Sequence, residues 1–233
     1  MAAGALGKAY DATWGRMFAR FYDRALKSTE ENGLGAMRAK VLAGARGRVI
    51  EIGAGTGVNL DLYGSGIEDL TLVEPDEHMA QQLRKRLETG EGAHGGATAG
   101  EGSGPNAPKH LVEASAETLP FADDTFDTAV ATLVFCTIPD PVAAIAELAR
   151  VLKPGGRLLF IEHVRSDDPG LARWQDRLEK PWRFMGDGCH CNRDTEATLG
   201  ASAFEIETIE HGKLPKSPPL VRPLIRGTAV LAG

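Results

Sequence analysis

The chain has 233 residues, 42% of them hydrophobic and 25% charged, with a formal net charge of −6. That is the make-up of one globular domain with length enough for a sizeable core, and the acidic balance argues against sequence-independent nucleic-acid binding, which needs a basic face. Three cysteines make no disulfide framework, no apolar stretch is long enough to span a bilayer, and no leader pattern opens the chain; the expectation is a cytoplasmic protein without a stable membrane anchor.

Residues 1–7 are small and Gly/Ala-rich and are expected to fray. From Tyr10 to about Val41, Trp14, Met17, Phe18, Phe21, Tyr22 and Leu26 recur at three- and four-residue steps, which predicts a helical region. Arg48 to Ile52 reads as the first strand, Gly57 to Tyr63 as the start of a helix, and Leu70 to Glu74 as the second strand. A helix over His78 to Leu87 follows, entered through Pro75-Asp76, with Arg84-Lys85-Arg86 on a solvated face. Residues 89–108 carry Gly, Ala, Ser and Pro with almost no apolar anchor, so they are expected to form a flexible surface insertion, His94 included.

The third strand begins at His110 to Glu113, and Phe126 to Val134 is a long apolar fourth strand. Asp140 to Leu152 is amphipathic with Pro141 in its first turn, which predicts a helix, and Lys153-Pro154-Gly155-Gly156 then turns the chain into a strand over Arg157 to His163. Two further strands are expected at Phe204 to Glu210 and Thr228 to Leu231. Strands alternating with helices imply an α/β fold with a doubly wound, mostly parallel sheet and helices on both faces. Ligands of such sheets bind beyond the carboxyl ends of the strands, where Gly53, Glu74, Ser115 and Thr132 should meet.

Val49-Ile50-Glu51-Ile52-Gly53-Ala54-Gly55-Thr56-Gly57 carries the most chemistry. An apolar strand runs into three glycines at alternate positions, which lets the backbone turn sharply and approach a ligand without a Cβ in the way. Dinucleotide-binding loops use a related spacing to seat a pyrophosphate. Here Glu51, inside the strand, would repel a pyrophosphate and suits a ligand with an ammonium group, such as the methionine part of S-adenosyl-L-methionine. About twenty residues on, Glu74 is placed to accept hydrogen bonds from a ribose diol.

Together with Glu74-Pro75, A-S-A-E-T-L-P-F (114–121), F-D-T-A-V (126–130) and L-K-P-G-G-R-L (152–158), this loop resembles the class I S-adenosylmethionine-dependent methyltransferases. The resemblance implies a Rossmann-like, seven-stranded sheet and a single methyltransferase domain over 1–233. In it, 8–47 would form a helical lid, 48–164 the cofactor-binding core, and 165–233 the acceptor side and last strands. It also implies a cofactor-binding set of Tyr22, Glu51, Gly53, Ala54, Gly55, Asn59, Glu74, Pro75, Met79, Ser115, Ala116, Glu117 and Thr132. Many members carry Asp where this chain has Ser115.

A narrower likeness, to the methyltransferase-like alkyl-thiol methyltransferases, lies in Thr132-Leu133-Val134-Phe135-Cys136, Glu162-His163, Trp182, Gly186-Asp187-Gly188-Cys189, Arg193, Thr195 and the P-L-I-R-G-T-A tail. That group carries a membrane anchor, and this chain shows none in its sequence. The likeness implies a small hydrophobic acceptor, with a thiol favoured; N- or O-methylation of a lipid, quinone or secondary metabolite is the alternative, and a non-catalytic cofactor-binding protein the reading from another class.

His163 is the candidate catalytic base, or else a cap to its strand. Asp187 either orients a histidine and contacts the acceptor, or serves the Gly186–Gly188 turn. Tyr22 either packs or reaches the cofactor from the lid, and Trp174, Trp182 and Phe184 are expected to wall the acceptor pocket. Cys189-His190-Cys191 invites a metal reading, but structural zinc wants four ligands at wider cysteine spacing, and Cys136 belongs to another strand. The expectation is no metal, with these thiols lying beside the acceptor pocket.

Overall fold

A computed structural model describes residues 11–90 and 107–232. The expectations for residues 1–7 and for most of the insertion at 89–108, His94 included, lie outside the described residues. The strands are β1 (Gly47–Ile52), β2 (Ile67–Val73), β3 (Lys109–Val112), β4 (Phe126–Thr132), β5 (Leu152–His163), β6 (Phe204–Lys213) and β7 (Pro223–Leu231). They form one seven-stranded sheet in the order β3-β2-β1-β4-β5-β7-β6. All neighbours are parallel except β7, which runs antiparallel to both β5 and β6.

The helices are α1 (Arg16–Thr29), α2 (Gly35–Leu42), α3 (Glu77–Thr89), α4 (Pro141–Val151), α5 (Pro169–Met185) and α6 (Thr195–Gly200). Strand alternation divides the core between two faces. Ile50, Ala129, Ala131, Leu158 and Phe160 meet Ile145 and Leu148 of α4 and Leu199 of α6. Val49, Leu70, Leu72, Val130 and Leu159 meet Leu42 of α2 and Leu83 of α3 on the other face. Helices cover both faces, which is why the central strands read as nearly unbroken apolar runs.

The helix starts follow their caps: the Asp76, Asp140 and Asp168 side chains each accept backbone N–H bonds from the first turns of α3, α4 and α5. Two sequence expectations change. The N-terminal helical region is not continuous, because the wide turn Glu30–Leu34 bends at Gly33 (φ 137°) and separates α1 from α2. After the glycine loop there is only the short 3-10 turn Leu60–Leu62 in place of a full helix. Asn59 and Tyr63 flank that turn, and both direct their side chains inward to Glu51, which holds the segment tight against the sheet.

The β6–β7 pairing contains a close approach. A Cβ on Gly227 would stand 1.9 Å from the Thr208 carbonyl oxygen, beside a register shift between Ile206 and Thr208. Gly227→Ala should therefore lower unfolding free energy by about 1–3 kcal/mol, read by denaturant melts; an unchanged midpoint would show that the strands part freely there.

Candidate active site

The order of strands reverses between β1 and β4, and the carboxyl ends of the sheet open there into a crevice. Parallel register brings Ile52 level with both Val73 and Ala131, so the loops that follow β1, β2 and β4 converge. A cavity of about 260 Å³ lies among them. Its border includes Tyr22, Glu51, Gly53, Ala54, Gly55, Glu74, Pro75, Met79, Ser115, Ala116, Glu117, Thr132 and Asp187. The sequence-predicted set thus comes together, with two exceptions: Asn59 and His163 do not border the cavity.

The glycine loop is built for close approach. Gly53 (φ 59°) packs so near Val134 that a Cβ would stand 2.1 Å from its methyl carbon. Gly55 (φ 56°) has nothing within 4 Å of its Cβ position, so the loop is open on that side. Glu74 secures the loop, accepting from the Gly55 N–H at 2.7 Å and the Asp76 N–H at 2.9 Å. Burial pushes its carboxyl up to about 7, against the pull of those two N–H groups. In the loop after β3, Ser115 donates to Glu117, which also accepts the Asp140 backbone N–H.

Beneath the loop lies a buried polar network. Glu51 is 2% exposed and accepts from Tyr63 Oη at 2.6 Å and Asn59 Nδ2 at 2.7 Å. Burial raises its carboxyl to about 6, while both donors hold it down. Asn59 is therefore a brace for Glu51, fully buried behind the cavity wall. Arg38, which sequence reasoning missed, is equally buried and does border the cavity. Its guanidinium donates to Glu30 Oε1 at 3.1 Å, Asn59 Oδ1 at 3.2 Å and Thr132 Oγ1 at 2.7 Å. Nothing marks it in the sequence except its place between Leu34 and Leu42, four residues either way, on the buried side of α2.

The wall contributed by α1 is tied down. Asp23 accepts from Thr56 Oγ1 at 2.6 Å and pairs with Arg86, which also bonds the Thr56 carbonyl. Arg86 is thus no solvated helix charge, unlike Arg84, which pairs with Glu113 near the surface.

His163 is buried, with Nε2 3.1 Å from Cys189 Sγ and Nδ1 without a partner. Trp182 Nε1 donates to the same sulfur at 3.3 Å. Cys136 joins them: its sulfur, the Cys189 sulfur and a His163 ring nitrogen all lie within 4.8 Å of one another. The Cys136 thiol beside it, and then the His163 imidazole, hold the Cys189 thiol well below its ordinary range, while burial opposes this. For His163, burial lowers the imidazole pKa, but the Cys189 sulfur outweighs it and the net shift is upward. Trp174 and Phe184 are largely exposed, and none of the three expected aromatics borders the cavity. Helix α5 spends that periodicity on an outer face, where Trp174 meets Arg177 and Phe184 stacks on Trp14. Asp187 is the residue of the C-terminal segment that reaches the cavity, from a left-handed backbone position (φ 49°).

Residues 50–160 match the methyltransferase domain family. The chain is 33% identical over 198 residues to human thiol S-methyltransferase TMT1B, covering 82% of this chain and 74% of that protein. The rat TMT1B is 32% identical over 183 residues, covering 78% of this chain and 70% of the relative. In fold the chain resembles a crystal structure of an S-adenosylmethionine-dependent methyltransferase from Thermotoga maritima, with a TM-score of 0.63 at 23% identity, over 94% of this chain and 100% of that one. The chain belongs to the class I S-adenosylmethionine-dependent methyltransferases. The cofactor of this methyltransferase is S-adenosylmethionine, and the residues present fit its chemistry. The open side at Gly55 leaves room beside the loop, and a buried acid and a buried arginine border the cavity as counterparts to an amino-acid zwitterion. No helix among the described residues is long and apolar enough to cross a membrane.

Two outcomes test this geometry. Gly55→Ala should cost only about 1–2 kcal/mol of stability, the strain of a left-handed alanine, yet abolish most cofactor binding by calorimetry; Gly53→Ala should fail on stability itself, because Val134 cannot move aside. If Gly55→Ala binds cofactor like the parent, the backbone at that position is not a contact surface. Glu74 gives a pH signature. Its folded-state value of about 7 lies above the model-peptide 4.5, so its share of stability is complete below pH 4.5 and is lost as pH rises through 7. Relative to Glu74→Gln, the ligand-free parent should lose up to about 3 kcal/mol across that window. A pH-independent difference in melts would mean that the carboxyl titrates normally.

Proposed function

We propose that this methyltransferase S-methylates a small hydrophobic thiol. The observation that carries the reading is the reach of the similarity to the thiol S-methyltransferases, which spans 78–82% of the chain and so extends well beyond the shared core at 50–160. The apolar side chains at the cavity support it: Phe18, Leu133, Val134 and Ile138 are part of its border, which favours a small apolar acceptor over a polymer.

The bound cofactor supplies an electrophilic methyl group on a sulfonium. The chain's residues then bind, orient and exclude water. In this reading Gly53, Ala54 and Gly55 seat the methionine portion, with Glu51 on the ammonium side and Arg38 on the carboxylate side. Glu74 takes the ribose diol, Pro75 and Met79 flank it, and Ser115, Ala116 and Glu117 face the adenine. Thr132 and Asn59 hold Arg38 and Glu51 in place. Residues 8–47 act as a lid in which Tyr22 faces the cofactor, 48–164 as the binding core, and 165–233 as the acceptor side, the whole chain serving as one domain.

A thiol acceptor suits a site of this kind. Bringing a thiol of pKa near 8.5 to thiolate at pH 7 costs roughly 2 kcal/mol, whereas a phenol near 10 costs about 4. Asp187 is the carboxylate nearest the acceptor side. His163 acts through Cys189, since its nitrogen faces that sulfur and the ring does not border the cavity.

Candidate alkyl thiols, phenols and amines, each incubated with cofactor while S-adenosylhomocysteine release is followed, test the assignment. Turnover is expected with hydrophobic thiols and should exceed that with matched phenols by about thirtyfold, the kinetic weight of the roughly 2 kcal/mol between them. Product formation confined to amines or hydroxyls would remove the thiol reading while leaving the methyltransferase intact.

A further inference from the structure

Cys136, His163 and Cys189 reach one point from three separate stretches: the loop after β4, the last residue of β5 and the turn after α5. Tetrahedral zinc, with bonds of about 2.3 Å to sulfur and 2.0–2.1 Å to nitrogen, holds such atoms roughly 3.5–3.8 Å apart. The observed cluster, within 4.8 Å overall and 3.1 Å at its His163–Cys189 edge, brackets that spacing. Two cysteine sulfurs and an imidazole are the donor set of a borderline-soft cation, and three protein ligands leave a tetrahedral ion one open position.

The surroundings suit a metal ligand more than an idle thiol. Trp182 Nε1 points at the Cys189 sulfur, the kind of outer hydrogen bond that orients a ligand. Cys136 and His163 are buried and Cys189 is half-buried, as a ligand set held in the interior requires. Leu133, Val134 and Thr137 beside Cys136, and Asp187 two residues before Cys189, border the cofactor cavity.

We propose that Cys136, His163 and Cys189 form a zinc site whose fourth position receives the acceptor thiol. The identity of that fourth ligand rests on the thiol reading above; the three protein ligands do not. The acceptor R–SH releases its proton to solvent as its sulfur joins zinc as a thiolate. A lone pair on that sulfur forms the new S–CH3 bond. The bond from the methyl group to the sulfonium breaks, with its electron pair kept by the cofactor's sulfur, and the neutral thioether leaves the metal. The sequence reading set a metal aside because zinc wants four ligands, Cys189-His190-Cys191 is too tightly spaced and Cys136 lies on another strand; the fold removes the last objection, and the site draws on His163 in place of His190 and Cys191.

The test uses the full chain, reduced, stripped with a chelator and titrated with zinc and then with cobalt(II). About one ion per chain is expected, with the intense visible bands of tetrahedral cobalt and a sulfur-to-metal charge-transfer band. Cys136→Ser and Cys189→Ser should each alter that band and weaken affinity by at least about tenfold. Cys191→Ala should keep both, because that sulfur packs 3.6 Å from the Gln175 carbonyl. A small alkyl thiol, added without cofactor, should shift the cobalt bands. Wild-type protein that takes up no stoichiometric metal, or a spectrum indifferent to both serine variants, overturns the site. The two readings fail differently: without the metal site cobalt stays unbound, whereas a wrong acceptor class leaves it bound and blind to thiols.

Discussion

The arrangement depends on placing the Glu51 carboxyl and the ion pair between Arg38 and Glu30 in the interior beneath the glycine loop. Neither could stay there alone. An unpaired buried ion costs several kcal/mol, and removing one member of a buried pair typically costs about 3–5 kcal/mol. Glu51 is held by the Tyr63 hydroxyl and the Asn59 amide, Arg38 by Glu30, Asn59 and Thr132. Asn59 donates to Thr132 as well, at 2.9 Å, so Arg38, Asn59 and Thr132 close a ring, while Glu30 Oε2 stays without a partner. The network draws on α2, β1, the turn at Leu60–Leu62 and β4 together, and none of these can shift without leaving a polar group unsatisfied.

That closure explains why the cavity has a fixed floor. Each strand end contributes one anchored side chain, and the glycine loop lies over them with no side chain of its own to fill the space at Gly55. Above the floor, Glu74 ties the loop to the end of β2 through two backbone N–H groups. Polar groups already held by hydrogen bonds in low dielectric, as those of Glu51, Asn59 and Thr132 are, need little reorganisation when a charged ligand arrives.

The sheet was legible from sequence because its signals are local: apolar β-branched runs, glycines at alternate positions and capping aspartates. The strand at 48–52, the acid at 74 and the helix after Asp140 all follow from residues within reach of one another along the chain. What stayed hidden depends on distant side chains. Arg38 reads as one more charge in a helical pattern, and only the packing of α2 turns it inward. Cys136 and Cys189 are fifty-three positions apart, and topology alone brings them together. Aromatic periodicity in α5 left another matter open: Trp174, Trp182 and Phe184 mark a helix, but only the fold turns Trp174 and Phe184 outward and Trp182 toward Cys189.

The tether from α1 to the glycine loop bears on how ligands come and go. Asp23 holds Thr56 on one side and Arg86 on the other, so the first helix, the loop and α3 are stitched by a single carboxylate. A wall sewn in this way opens by breaking an ion pair at the rim, not by swinging on a loose end. Ionic strength weakens partly exposed pairs of that sort, so the stitch that fixes this side of the crevice is one that salt loosens.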